Sequence, residues 1–179
     1  MATLKFPVTP YDHAKGPANA PVTLLEYGDY ECPSCGLAHP ITEQIQKHFG
    51  QRLRFVFRHF PLSQAHPNAE SAAQTAEFAG ANGKFWDMHR DLYDNQDGLG
   101  LPFYLALASL LGLSQLELRE ALISGTFVPK VRADFLSGAR SGVNSTPCFF
   151  INGVRHEGTY AFQELGAAIE QHLDAHVMT

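Results

Sequence analysis

The chain has 179 residues, which is enough for one compact domain with a sizeable core. Hydrophobic residues make up 45% of it and charged residues 17%, a composition that is typical of a packed globular protein and excludes a disordered or fibrous one. The net charge of -5 offers no basic surface to which a phosphate backbone can bind, so we expect no nucleic-acid partner.

Residues 1–20 form a lead-in with several Pro, Gly and Ala residues. It contains no apolar run long enough for a signal peptide or a membrane span. We therefore expect a cytoplasmic location and no membrane insertion. A periplasmic protein whose signal had been removed would have the same sequence, so a periplasmic location stays open.

The first apolar segments predict a strand, a helix and a second strand. Residues 22–30 are mostly apolar and predict a buried strand, and residues 33–49 have apolar side chains at helical spacing. In residues 53–58, large apolar side chains occupy every second position, which predicts a strand with one strongly apolar face. This order favours a parallel pair joined by a right-handed crossover, the usual start of an α/β sheet.

A long helical stretch follows these elements. From about residue 66 to residue 142, helix patterns are interrupted by turn residues, and no segment has a convincing strand pattern. Residues 65–142 are therefore predicted to form an inserted helical subdomain. Residues 1–64 and 143–179 would then form the sheet-containing domain.

The chain returns to strands near its end. Residues 148–152 are a short apolar run, and Asn152-Gly153 is a strong hairpin signal that leads into a second strand at residues 154–157. Residues 161–176 have the pattern of an amphipathic helix, which is predicted to close the fold.

The motif Cys32-Pro33-Ser34-Cys35 stands at the start of the first predicted helix. Cysteine attacks disulfides as the thiolate, and the unpaired N–H groups and partial positive charge of a helix N-terminus stabilise that anion. Pro33 suits the first turn, where its missing N–H costs nothing. Residues three apart on a helix are neighbours, so we expect Cys32 to attack and Cys35 to resolve the mixed disulfide.

Metal binding is the alternative use of such a motif. A structural zinc ion normally has four Cys or His ligands, and here His39 is the only imidazole close to Cys32 and Cys35 in the sequence. A second ligand pair at zinc-finger spacing is missing, so no metal is expected. A metal-binding protein that uses these three residues remains the alternative.

Four motifs resemble one known family. YGDYECPSCG, FRHFPL, KFWDMH and VNSTPCFFING stand in the order found in the DsbA-like branch of the thioredoxin-fold superfamily. The resemblance extends from about residue 21 to residue 160. It implies an α/β thioredoxin fold with a helical subdomain inserted between its βαβ and ββα halves. It also implies disulfide exchange with protein substrates and an unidentified redox partner, without a bound cofactor.

The resemblance also implies roles for individual residues. The Thr146-Pro147 bond is expected to be cis, to face the cysteines and to contact substrate. Glu26 is similar to the acidic residue that the family places under its cysteines. A carboxyl group held there can carry protons to and from Cys35.

Two positions depart from the family pattern. The strongly oxidising members have a histidine next to the second cysteine, where this chain has Ser34, so we expect a milder oxidant or a reductase. Cys148 follows Pro147 directly, and it is either a buried small hydrophobe or a third redox thiol. A further alternative for the whole chain is a peptide-binding or chaperone module without redox turnover.

Overall fold

The structure is a computed structural model that describes residues 2–177, with side chains described through residue 175. The chain divides into two compact units. The first, which we call the sheet unit, comprises Met1–Gly28, Leu37–Arg58 and Leu136–Thr179. The second, the helical unit, comprises Asp29–Gly36 and His59–Phe135.

The sheet unit contains one five-stranded sheet within the described residues, with strand order β1-β3-β2-β4-β5. The pairs β1 with β3, β2 with β4, and β4 with β5 are antiparallel. The strands are β1 (His13–Lys15), β2 (Val22–Gly28), β3 (Leu53–His59), β4 (Cys148–Ile151) and β5 (Val154–Arg155). The inner strands β2 and β3 are each buried at every position but one, and the inner strand β4 is buried throughout. Strands covered on both faces have this near-continuous burial.

Seven α-helices and two short 3-10 turns complete the described chain. The helices are α1 (Pro33–Phe49), α2 (Ala69–Ala81), α3 (Phe85–Asp94), α4 (Leu101–Leu110), α5 (Gln115–Ser124), α6 (Val128–Arg140) and α7 (Phe162–Val177). The 3-10 turns are Gly50–Arg52 and Gln96–Gly98. Helix α1 begins in the helical unit and continues in the sheet unit, so the residues around the Cys-X-X-Cys motif belong to the helical unit.

The predicted elements are found at close to their predicted positions. Strands β2 and β3 are neighbours in the sheet, and only helices and turns lie between β3 and β4. Asn152 and Gly153 both have positive φ angles, 47° and 81°, as a tight hairpin turn requires. The proposed division into residues 1–64 with 143–179 and residues 65–142 stays a prediction.

Two expectations from the sequence were incomplete. The lead-in contains the short edge strand β1, whose three residues carry no recognisable pattern. Gly16 ends it with a φ of +86°, and a Cβ there would lie 2.2 Å from the carbonyl oxygen of Leu53. The predicted strand at residues 22–30 ends at Gly28, because the following residues turn into α1.

A buried ion pair attaches the lead-in to β3. The Nε and Nη2 atoms of Arg58 donate to the two carboxylate oxygens of Asp12 at 2.7 and 3.0 Å. Arg58 also donates to the carbonyl oxygens of Phe6 and Pro7 and to the Tyr27 hydroxyl. Burial lowers the pKa of Arg58, but the hydrogen bonds to Asp12 and Tyr27 outweigh it and the net direction is upward. The strand pattern had placed this side chain on the more polar face, yet it is 5% exposed.

Removing one partner of this pair should destabilise the fold strongly. We expect Asp12→Ala to lower the free energy of unfolding in urea by about 3–5 kcal/mol, because the guanidinium group then stays buried without its counter-charge. The double variant Asp12→Leu/Arg58→Met removes both charges and should recover most of that loss. A loss below about 1 kcal/mol for Asp12→Ala would show that the lead-in is not held by this pair.

Candidate active site

The two cysteines of the motif lie at the start of α1. The carbonyl oxygen of Cys32 accepts the N–H of Gly36 at 3.1 Å, which is the first hydrogen bond of the helix. Cys35 lies in the first turn, close to Cys32. Neither cysteine forms a disulfide; Cys32 is 7% exposed and Cys35 is fully buried. The first turn contains no acidic residue, so the positive end of the helix dipole is not offset there.

Asp29 shapes the turn that leads into α1. Its carboxylate is buried; Oδ1 accepts the N–H of Glu31 at 2.8 Å, and Oδ2 accepts the N–H of Leu62 at 2.9 Å. Oδ2 also lies 2.7 Å from Nδ1 of His66. The backbone carbonyl of Asp29 accepts the N–H of Cys32 at 3.1 Å. Asp29 therefore sets the backbone of the turn that leads to Cys32 and connects this turn to the loop after β3.

Gln96 holds the same turn through its side-chain amide. Its Nε2 donates to the carbonyl oxygens of Tyr30 and Cys32 at 2.7 and 3.0 Å. A Cβ at Gly36 would lie 2.1 Å from Oε1 of Gln96. The glycine that follows Cys35 is therefore needed so that the amide can pack across the start of the helix.

Glu31 connects the turn to the start of α2. Its carboxylate accepts the backbone N–H and the side-chain amide of Asn68, the residue before α2, at 2.5 and 2.8 Å. Such N–H groups at a helix start lack partners within the helix and favour an anion. The hydroxyl of Tyr104 donates to the carbonyl oxygen of Asn68 at 3.2 Å. Burial raises the pKa of Tyr104 to about 12, so the phenol stays a donor at neutral pH.

His66 is a titratable residue that contacts Asp29 in the turn before α1. Burial lowers its pKa, but the hydrogen bond and the charge of Asp29 raise it, and the charges of Cys32 and Glu31 raise it further. The net effect is a pKa above the usual 6.5. The imidazole is 19% exposed, so it can exchange protons with solvent. The interactions with Asp29, Cys32 and Glu31 therefore favour the protonated imidazole.

The sheet unit carries Glu26 and Cys148 on neighbouring strands. Glu26 of β2 is 2% exposed and lies opposite Phe149 of β4, whereas Cys148 lies opposite Tyr27. Successive strand residues point to opposite faces of a sheet, and directly paired residues share a face. The Glu26 and Cys148 side chains therefore lie on opposite faces. Burial raises the pKa of Cys148, which keeps this thiol protonated.

The remaining residues predicted from the sequence lie near the start of β4 and in α1. The Thr146-Pro147 peptide bond is cis, Thr146 is buried, and Pro147 directly precedes β4. His39 is buried in α1, with Nε2 3.8 Å from Oε1 of Glu43. The metal-binding alternative that uses His39 stays untested.

Sequence reasoning missed the polar residues that hold the turn. Asp29 had a local signal, because aspartate before a helix start commonly accepts a nearby backbone N–H. Gln96 and His66 had none, since they are 64 and 37 residues from the atoms that they contact. Their role depends on the tertiary fold.

Comparison with known proteins identifies the class. A sequence profile described as "Thioredoxin" matches residues 8–171, so the chain belongs to the thioredoxin family. Oxidised BdbD from Bacillus subtilis is 26% identical, covers 97% of this chain and 98% of its own, and superposes with a TM-score of 0.87. Alpha-DsbA1 from Wolbachia pipientis, at 21% identity, covers 98% of this chain and 96% of its own with a TM-score of 0.84, which shows the fold.

These findings confirm the predicted fold and family. The chain has a mixed α/β thioredoxin fold and is DsbA-like, and thiol–disulfide exchange is the chemistry of its class.

One curated relative matches nearly all of this chain but only part of its own length. A protein named "Na(+)/H(+) antiporter NhaA 1" from Mycobacterium sp. (strain KMS) is 41% identical over 171 residues, which is 94% of this chain but 28% of that protein. The chain thus spans about a quarter of the relative's length. Among residues 2–177, no helix is long and apolar enough to cross a membrane.

The contact between Gly36 and Gln96 can be tested by a double-mutant cycle. We expect Gln96→Ala to cost about 1–2 kcal/mol of stability, because two carbonyl oxygens lose their donor, and Gly36→Ala to cost a similar amount by displacing the amide. The double variant should lose little more than the worse single one. Additive losses in urea unfolding would contradict this linkage.

Gly166→Ala provides a matched control for that cycle. Gly166 is also helical, but its Cβ would lie 3.7 Å from the Ile45 side chain, an ordinary contact. Alanine should be neutral or stabilising there by up to about 1 kcal/mol.

Proposed function

We propose that the chain is a dithiol–disulfide oxidoreductase for protein substrates, with Cys32 as nucleophile and Cys35 as resolving thiol. The observation that carries this proposal is the placement of Cys32 as the first carbonyl acceptor of α1, with Cys35 in the first turn of the helix. The carbonyl oxygen of Asp29, which accepts the N–H of Cys32, and the amide of Gln96, which donates to the Cys32 carbonyl, hold that geometry. A pre-set helix start stabilises a thiolate at the attacking position.

The exchange balances in two steps. A substrate thiolate attacks Sγ of Cys32 in the Cys32–Cys35 disulfide, which forms a mixed disulfide and releases Cys35 as a thiolate that takes up a proton. A second substrate thiolate attacks the substrate sulfur of the mixed disulfide, which releases Cys32 as the thiolate. The substrate loses two electrons and the enzyme gains them. A redox partner that carries a disulfide re-oxidises the Cys32–Cys35 pair and is itself reduced to a dithiol. In the reverse sequence the dithiol form reduces a substrate disulfide, and a dithiol partner then restores it.

Two supporting roles rest on the family resemblance. We assign proton transfer for Cys35 to Glu26, whose burial favours a raised proton affinity. We assign substrate contact to Thr146 and Pro147, since a proline at a strand start lacks an N–H and leaves nearby backbone available to an extended peptide. The cytoplasmic location stays a prediction.

Cys148 fits the buried-hydrophobe alternative better than a third redox role. It is 5% exposed, and burial raises its pKa. The nearby Arg155 lowers that pKa and Glu157 raises it. A thiol kept protonated is a poor nucleophile, which supports a packing role.

A Cys35→Ser variant should trap substrates. Without the resolving thiol, we expect mixed disulfides that depend on Cys32 and disappear with reductant on non-reducing gels. The Cys32→Ser/Cys35→Ser variant is the control and should trap nothing; adducts that persist there would implicate Cys148. Normal activity of Cys32→Ser would instead support a peptide-binding or chaperone module.

The direction of electron flow is tested by equilibration with glutathione buffers. Because Pro33 and Ser34 carry no positive charge to stabilise a thiolate, we expect a potential below the oxidising extreme of about -120 mV and toward the reducing value of about -270 mV. Ser34→His should move the equilibrium toward the reduced enzyme. A potential of the unchanged chain near the oxidising extreme would contradict the assignment of a mild oxidant or reductase.

A further inference from the structure

The residues between the two cysteines leave the thiolate without a local cation. Pro33 and Ser34 are uncharged, and the first turn of α1 contains no basic side chain. The acidic neighbours are already engaged: Asp29 accepts three donors through its carboxylate, and Glu31 accepts both N–H groups of Asn68. The positive charge of a stabilising side chain would therefore come from outside the motif.

We propose that His66, held by Asp29, is a positioning residue whose positive charge stabilises the thiolate of Cys32 during disulfide exchange. This inference rests on the proposed function and deepens it. Nδ1 of His66 donates to Oδ2 of Asp29 at 2.7 Å, and the same aspartate binds the N–H of Cys32 through its carbonyl. Asp29 thus fixes the cation and the nucleophile in one hydrogen-bonded unit.

The electrostatic interaction between His66 and Cys32 supports the same proposal. Asp29, Glu31 and Cys32 interact electrostatically with His66, and all three favour its protonated form. Coupling between two titrating groups is reciprocal, so an imidazolium favoured by the thiolate favours the thiolate equally. The stabilisation is present while His66 is protonated and is lost as pH rises through the raised pKa of His66.

His66→Asn separates the charge from the hydrogen bond. The asparagine amide nitrogen occupies the position of Nδ1 and can still donate to Asp29, but it carries no charge. In a Cys35→Ser/Cys148→Ala background, Cys32 is the only thiol, so its alkylation by iodoacetamide reports its thiolate directly. We expect His66→Asn to slow alkylation at pH 6.5 by about three- to tenfold, the effect of roughly half to one pKa unit at a partly exposed site.

The difference should shrink at both high pH and high salt. Near pH 9 the imidazole of His66 is neutral in any case and the Cys32 thiol ionises without its help, so the two rates should converge. In 1 M NaCl the gap at pH 6.5 should narrow, because the Debye length falls to about 3 Å. His156→Asn is the matched control: His156 is also partly buried, but it contacts the Thr159 carbonyl oxygen rather than a carboxylate. We expect His156→Asn to leave the pH profile of Cys32 alkylation unchanged.

Each outcome decides the proposal. A pH profile of His66→Asn equal to that of the unchanged background overturns it, and if His66→Ala alone is impaired, the role of His66 is structural. If Cys35→Ser traps substrate at pH 9 while His66→Asn changes nothing at pH 6.5, this inference fails and the proposed function stands. If Cys35→Ser traps nothing at any pH, the proposed function fails first.

Discussion

The buried carboxylate of Asp29 is the constraint on which the rest of the site depends. A carboxylate at 2% exposure is costly unless donors replace its water, and here two backbone N–H groups and one imidazole do so. Because those donors come from Glu31, Leu62 and His66, satisfying the charge brings the turn before α1 and the loop after β3 together. The turn's shape therefore follows from solvating one charge rather than from local backbone preference.

The same turn is held by other residues of the helical unit. Gln96 binds two of its carbonyl oxygens, and Glu31 reaches the start of α2. The motif residues Asp29–Gly36 consequently group with His59–Phe135. Residues of the helical unit supply the hydrogen bonds that set the backbone at Cys32. A displacement of the 3-10 turn Gln96–Gly98 would therefore alter the hydrogen bond that Gln96 donates to the Cys32 carbonyl oxygen.

Features that neighbouring residues encode could be predicted from the sequence, whereas contacts between residues far apart in the chain could not. The motif of Cys32 and Cys35 and the hairpin at Asn152-Gly153 are encoded by neighbouring residues, so their elements were predicted at nearly the observed bounds. Gln96 looked like an ordinary polar loop residue, because only the fold brings it to the turn. The position of Arg58 was predicted wrongly for a related reason. Alternation along the strand puts its side chain on the less apolar face, whereas β3 is buried on both faces and Asp12 neutralises the charge.

Burial alone does not distinguish Cys32 from Cys148, because they are 7% and 5% exposed. The difference lies in what surrounds each sulfur. Cys148 starts a strand whose backbone groups pair with β2, so burial raises its pKa with only Arg155 opposing. Cys32 stands where α1 begins, at the positive end of the helix dipole, and other donors already bind the carboxylates of its acidic neighbours. These surroundings, rather than access to solvent, support the proposal that Cys32 and not Cys148 exchanges disulfides.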